Sequence, residues 1–192
     1  MNIISYLTTV IFKRNLQARK GTMNNAECIQ LNIDEVINKY SDLVYKLAYC
    51  RTKNKYDAED IFQDVFLQLI KYQSTFTGEE HLKGWLIRVT INCCNKHFLS
   101  LKNRPYELIP EDLVYLTPEE SEVYQVVLSL QKKYRTVIHL FYYEELSIKQ
   151  ISSVLGKKEG TIKSLLSRGR NLLKMKLLDG FSEESDIHAR KI

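Results

Sequence analysis

The sequence is short of chain breakers: its 192 residues hold seven glycines and three prolines. That scarcity suits long helices joined by brief connections. Strand signals are also missing, since no segment alternates apolar and polar residues over a strand's length, and no internal repeat is visible. The four cysteines (Cys28, Cys50, Cys93, Cys94) show no CxxC spacing, and the four histidines (His81, His97, His139, His188) stand apart from one another. A metal site is therefore not expected, and the thiols read as buried free cysteines of a reducing cytosol. No nucleophile and base fall at recognisable spacing, and no glycine-rich phosphate loop is present. The expectation is a non-enzyme with no catalytic residue, no cofactor and no small-molecule substrate.

A long apolar run is lacking as well. The stretch MNIISYLTTVIF holds about twelve residues, against the ~20 a helix needs to cross a bilayer. Its cations, Lys13, Arg14, Arg19 and Lys20, follow the apolar run, the reverse of a signal peptide. Residues 1–32 are expected to be a poorly ordered extension, with Met23 as a candidate true start. A membrane-surface helix is the other reading of this stretch.

What is present begins with 44% hydrophobic residues, enough for real cores. The net charge of +5 is modest, but it is sorted along the chain. From Lys149 to Lys176 eight cations stand against one anion, Glu159, whereas Pro105 to Tyr124 carries six anions and no cation. Segregation of this kind suits more than one partner surface.

Apolar residues recur at three-and-four spacing from Asp34 to Arg51, predicting an amphipathic helix. Asp57, with Asp60 three residues on, is read as the cap of a second helix ending near Lys71. Its outer face carries Glu59, Asp60, Gln63 and Asp64. After QSTFTGEEH, with Gly78 at its turn, a third helix is expected from about Leu82 to Lys102. Residues 105–120 hold all three prolines and read as an acidic linker. Beyond it, SEVYQVVLSL and KKYRTVIHLFYYEEL each predict a helix. Ser147 caps another, Gly156 ends it, and Thr161 opens a last helix to about Leu178. Residues 179–192 read as a flexible tail. The fold class expected is all-α: two small helical domains, 33–104 and 121–178, the second containing a helix-turn-helix.

The helix-turn-helix reading rests on Ser147, on Gly156 and on Ser152 as the small residue where the helices cross. Donors line the outer face of the last helix: Lys163, Ser164, Ser167 and Arg168, with Arg170 and Lys174 further along. Such a helix lies in the major groove and reads base edges from its N-terminal part. Arg168 is the first candidate for a base contact, while Lys149, Lys157, Lys158 and Lys174 suit phosphates. An ordinary basic hairpin would explain the charge, but not the cap, glycine and small residue together.

At this point the sequence resembles a known family, the extracytoplasmic-function (group IV) sigma factors of bacterial RNA polymerase. EGTIKSLLSRGRNLL resembles its recognition helix, DAEDIFQDVFLQL its polymerase-clamp helix, and TFTGEEHLKGWLIRVTINCCNK its promoter-melting segment. The likeness covers about Asp34 to Leu177. It implies an alternative sigma factor that binds core polymerase at the beta-prime clamp and beta flap, recognises minus-35 and minus-10 type promoter elements, and works in the cytoplasm. Asp57, Asp60, Gln63 and Asp64 would meet the clamp. Phe76 and the loop around Gly78 would receive a flipped base, with Arg88, Asn92 and Lys96 holding the strand. Trp85 reads either as core or as a stacking platform. The linker would thread the RNA exit path or act as a plain tether. An anti-sigma factor is a further partner the resemblance implies. The sequence departs from the family at Leu165, where arginine is usual, at Leu130–Gln131, where leucine-proline is usual, and at Gly169, where alanine is usual. The rival reading is a stand-alone helix-turn-helix regulator of duplex DNA.

Overall fold

The computed structural model describes residues 32–72, 76–101 and 122–189, with the side chains of the last helix described as far as Leu178. The expected extension over residues 1–32, apart from Asn32, and the linker over 105–120 lie outside the described residues. Within them the chain forms seven α-helices and no strand. They are α1 (Ile33–Thr52), α2 (Lys55–Lys71), α3 (Glu79–Leu101), α4 (Glu122–Ser129), α5 (Lys132–Tyr142), α6 (Ile148–Leu155) and α7 (Glu159–Ala189).

The first three helices form one layer of packing. Val44, Leu47 and Ala48 of α1 meet Ala58, Val65, Phe66 and Leu69 of α2 and Leu86 and Ile87 of α3, all of them buried. Each fully buried Leu, Ile or Phe contributes about 1.5–3 kcal/mol relative to exposure. Asn32 caps α1 by accepting from the Asp34 amide at 3.2 Å. Lys53 closes it in the left-handed region (φ 58°), donating its amide to the Tyr49 carbonyl at 2.8 Å.

The α2 cap differs from expectation. Asn54, not Asp57, is the capping residue, and its side chain accepts from the Asp57 amide at 3.0 Å. Asp57 sits inside the first turn, where its negative charge complements the helix dipole. α3 begins at Glu79, a turn earlier than its apolar content indicates, with the Leu82 amide donating to the Gly78 carbonyl.

The second layer packs α4, α5, α6 and α7 around Val127, Ile138, Leu140, Ile151, Ile162 and Leu166. α5 stops at Tyr142 rather than running through Leu146. The Leu146 amide reaches back to the Leu140 carbonyl at 3.0 Å, around Glu145 at φ 57°. That bond spans one residue more than the 6→1 bond of a Schellman stop, so the turn is wider than a glycine-ended one. α7 starts at Glu159, ahead of Thr161, and stays helical to Ala189, well past the expected end at Leu178. No proline interrupts that span, and one interior glycine such as Gly180 costs only about 1 kcal/mol.

The two layers also meet each other. α5 lies against α1, and α6 against α3. The buried apolar side chains therefore form one continuous cluster across both halves.

Candidate nucleic-acid interface

The α6–α7 pair is a helix-turn-helix with its local chemistry satisfied. Ser147 and Gln150 form a reciprocal capping box: the Gln150 amide donates to Ser147 Oγ and the Ser147 amide to Gln150 Oε1 at 2.9 Å. Gly156 stands at φ 61°, ψ 36°, and its amide donates to the Ser152 carbonyl. Ser152 does a different job from the one expected of it. Its hydroxyl donates to the Lys157 carbonyl, so it ties the turn together rather than merely leaving room at a crossing.

The residue that leaves room is Gly169. A Cβ built there would lie 2.9 Å from Ile138 Cδ1 and 3.5 Å from the Cβ of Tyr134, so α7 and α5 touch at that point. Ile162, Leu166 and Gly169 are buried on one face of α7, with Leu173 half-buried beside them. Leu165, half-buried, packs against the same core, so it is turned from the groove face where an arginine would stand.

At 100° per residue, Ser164, Ser167 and Arg168 fall opposite the buried face, with Lys163 and Lys174 nearer its edge. All five are exposed, as are Lys157 and Lys158 at the α7 N-terminus and Lys149 on α6. Ser164 spends its proton on the Gly160 carbonyl at 2.9 Å and keeps its lone pairs as acceptors. Arg170 lies on the flank. Its guanidinium carbon sits 5.4 Å from the Phe141 ring centre and 5.6 Å from that of Tyr142, a cation–π arrangement.

A second surface lies on α3. Phe76 is fully buried, with ring centres 5.2 Å from Tyr72, 5.4 Å from His81 and 5.6 Å from Trp85. It is the floor of an aromatic cluster rather than an exposed platform. Trp85, 4.8 Å from Tyr72, is half-buried like Tyr72, and His81 is exposed. Gly78 has open space where a side chain would stand and no left-handed φ, so nothing local requires glycine there. Arg88, Asn92 and Lys96 recur every fourth residue and are all exposed, a polar stripe along α3. Beside it opens a cleft of about 520 Å³, whose α3 wall includes His81, Gly84, Trp85 and Arg88.

The third surface is α2. Asp60, Gln63 and Asp64 are exposed on one face. Tyr56 and Leu67 share that face by helical spacing and are 56% and 40% exposed, which makes it part acidic, part apolar. Sequence reading missed those two, though the period of the other three points to them. Asp57 is not with this group: half-buried, its Oδ2 lies 3.1 Å from His97 Nε2 of α3.

Among the described residues no group of acids, histidines and cysteines could hold a metal ion, and no helix is long and apolar enough to cross a membrane. Cys50, Cys93 and Cys94 are free and buried. Burial pushes the Cys50 thiol up to about 12 and the Cys94 thiol to about 11, so neither is a nucleophile near neutral pH.

Comparison with known proteins places this geometry. Residues 36–104 match the family model "Sigma-70 region 2" and residues 120–173 match "Sigma-70, region 4". An ECF RNA polymerase sigma factor, SigW of Bacillus subtilis, is 28% identical over 88% of this chain and 98% of its own. SigE of Mycolicibacterium smegmatis is 30% identical over 78% of this chain and 63% of its own. In solved structures the fold is shared with the sigma factor RpoE of Bartonella quintana, determined in complex with the anti-sigma factor NepR. That match has a TM-score of 0.58 at 20% identity and covers 76% of this chain and 96% of the other. Two region models in the expected order, over the helices that carry the α2, α3 and α7 surfaces, lead to one conclusion: the chain belongs to the sigma-70 family, in its extracytoplasmic-function branch.

Proposed function

We propose that this protein is an alternative sigma factor: it binds bacterial core RNA polymerase, recognises a two-part promoter and starts transcription of a specific gene set. The observation that carries the reading is the pairing of two unlike nucleic-acid surfaces in one chain. The exposed donors of α7 suit the edges of duplex DNA. The Arg88–Asn92–Lys96 stripe beside the half-buried Trp85 suits an unpaired strand, whose bases stack on aromatics while its phosphates meet cations. A stand-alone duplex binder has no use for the second.

In this mechanism Arg168 and its neighbours Lys163, Ser164 and Ser167 read the upstream element, with Lys157, Lys158 and Lys174 on phosphates. Arg170, stacked on Phe141 and Tyr142, contributes a positioned charge at the rim. Arg88, Asn92 and Lys96 hold the downstream strand, and the cluster around Phe76 supports the Gly78 loop. Strand capture strengthens only once the duplex opens, so part of the binding energy favours the melted promoter. Asp60, Gln63 and Asp64, flanked by Tyr56 and Leu67, form the clamp-facing surface, with Asp57 at its edge beside His97 of α3. The beta flap is a second polymerase contact and an anti-sigma factor a regulatory partner. The place of action is the cytoplasm, and the protein needs no cofactor or small-molecule substrate of its own.

The test is run-off transcription with purified protein, bacterial core polymerase and a library of promoter fragments from the source genome. Discrete transcripts that vanish with Arg168→Ala establish the reading. Duplex binding without initiation overturns it in favour of a stand-alone regulator.

A further inference from the structure

The loop that leads into α3 is tied down by a histidine. The helix begins at Glu79, and the Leu82 amide donates to the Gly78 carbonyl. His81 is thus its third residue, the place from which a glutamate or glutamine ordinarily reaches back to cap a helix start. Here an imidazole does the reaching. The Thr77 amide donates to His81 Nδ1 at 3.4 Å, and the Thr77 hydroxyl lies 3.3 Å from the same nitrogen. An amide only donates, so Nδ1 is an acceptor and the ring is neutral, with its proton on Nε2.

The loop is fixed from two other sides as well. Phe76 is fully buried, and the His81 ring stands against it at an interplanar angle of 69°. Glu79 is held to α1: the Tyr40 hydroxyl donates to its Oε1 at 2.9 Å, and Lys39 pairs with the same oxygen. Between these anchors stand Thr77, exposed, and Gly78, half-buried. The Thr77 amide precedes the helix and has no helical acceptor, so His81 supplies one.

That hold depends on the state of the ring. Imidazole is the side chain whose charge ordinarily changes between pH 5 and 8. A second proton goes on Nδ1, which then faces the Thr77 amide as donor against donor. The added charge also stands at the positive end of the α3 dipole. The charged groups sharing the His81 cleft are Glu80, Lys83 and Arg88 of α3 and Glu144 and Glu145 of the turn after α5, while α6 presents only neutral groups there. From α1 come Lys39 and Tyr40, both engaged by Glu79. Among the described residues the hydrogen bonds of His81 go to Thr77 and not to a carboxylate.

We propose that His81 is a positioning residue for the loop before α3: neutral, it keeps Thr77 and Gly78 in the arrangement that receives an unpaired base, and protonated, it releases them. Capture of single-stranded DNA then weakens as pH falls from about 7.5 to about 5.5. A histidine serving only as surface charge would do the reverse, since a proton gained strengthens the attraction to phosphates. The inference rests on the sigma-factor reading for what the loop receives, but the hold on Thr77 does not.

The test uses the full chain. Nuclear magnetic resonance follows the Thr77 amide and the His81 ring through this pH range. Fluorescence anisotropy at constant salt follows binding of a labelled random single-stranded deoxyoligonucleotide. The amide should shift with the midpoint of the ring. Wild-type affinity should fall about threefold across the range, the lower end of what one hydrogen bond is worth. His81→Asn, whose Oδ1 accepts where Nδ1 did but does not titrate, should hold one affinity throughout. It leaves His97 and His139 in place, so it separates their titration from that of His81. His81→Leu keeps an apolar contact for Phe76 without an acceptor, and should bind about threefold more weakly than wild type at the upper pH. A wild type that tightens or stays level as pH falls, a His81→Asn chain that weakens in step with it, or a Thr77 amide indifferent to the ring would overturn the inference. If the affinities behave as expected but no chain supports run-off transcription, the role of His81 stands and the sigma reading falls.

Discussion

At the scale of single residues, the departures from the usual family pattern have local causes. Glycine at position 169 weakens a helix by up to about 1 kcal/mol relative to alanine. The structure supplies what that cost accompanies: a close approach of α7 to Ile138 and Tyr134. Ile138 is itself fully packed and has little room to move. Gly169→Val should therefore destabilise the protein by about 1–3 kcal/mol through overpacking. Urea unfolding followed by circular dichroism measures this, and an unchanged midpoint would mean that the helices are not in contact there. The buried thiols give a second prediction. In the folded chain Cys50 and Cys94 lose their protons only near 12 and 11, against an ordinary value of 9.0. The unfolded chain therefore releases protons first as pH rises past 9, and stability falls between about 9 and 12. The wild type should lose stability from pH 8 to pH 10.5 more steeply than Cys50→Ala/Cys94→Ala. In native protein at pH 8, neither thiol should react with a thiol reagent until unfolding.

At the scale of the element, α7 makes separable demands on DNA. On the proposed reading Arg168, on the side away from the buried face, reads base edges, and Lys174, nearly two turns on, meets backbone. Arg168→Ala should cost about 1–3 kcal/mol on the cognate upstream element and relax specificity at one base position. Lys174→Ala should weaken all duplexes alike and reduce the salt slope by about one. Competition binding over a salt series separates the two, and equal loss on cognate and random duplex for Arg168→Ala would remove it from base readout. The helices themselves were legible because apolar spacing at three and four residues is a direct image of a buried face; Val36, Ile37, Tyr40, Leu43, Val44, Leu47 and Ala48 are all buried. Their ends were less so. Both Asn54 and Asp57 can cap, and which one does depends on the backbone entering the helix. Phe76 likewise reads the same in sequence whether its ring is buried or exposed, and only packing against Tyr72 and Trp85 decides it.

At the scale of the whole molecule, the docking of the two halves left no trace in the sequence. Arg51 and Arg135 bond mainly to backbone carbonyls and neutral side chains, and carbonyls carry no residue identity. The division of labour between the halves is different, because it is written in which charges are left exposed. Asp60 and Asp64 make no contact that α2 needs for its own packing: its buried side chains are Ala58, Ile61, Phe62, Val65, Phe66 and Leu69. Replacing both acids with alanine should leave the fold intact, changing unfolding free energy by less than about 0.5 kcal/mol. Duplex binding by α7 should persist, because that surface lies in the other half. Transcription should fall by at least tenfold if, as proposed, these acids supply the complementary charge toward polymerase. A pull-down with core polymerase, run beside run-off transcription and duplex binding, reads all three. Loss of polymerase binding alone assigns α2 to the enzyme. Loss of duplex binding as well would mean the halves act as one body, and retained transcription would move the polymerase contact off this face.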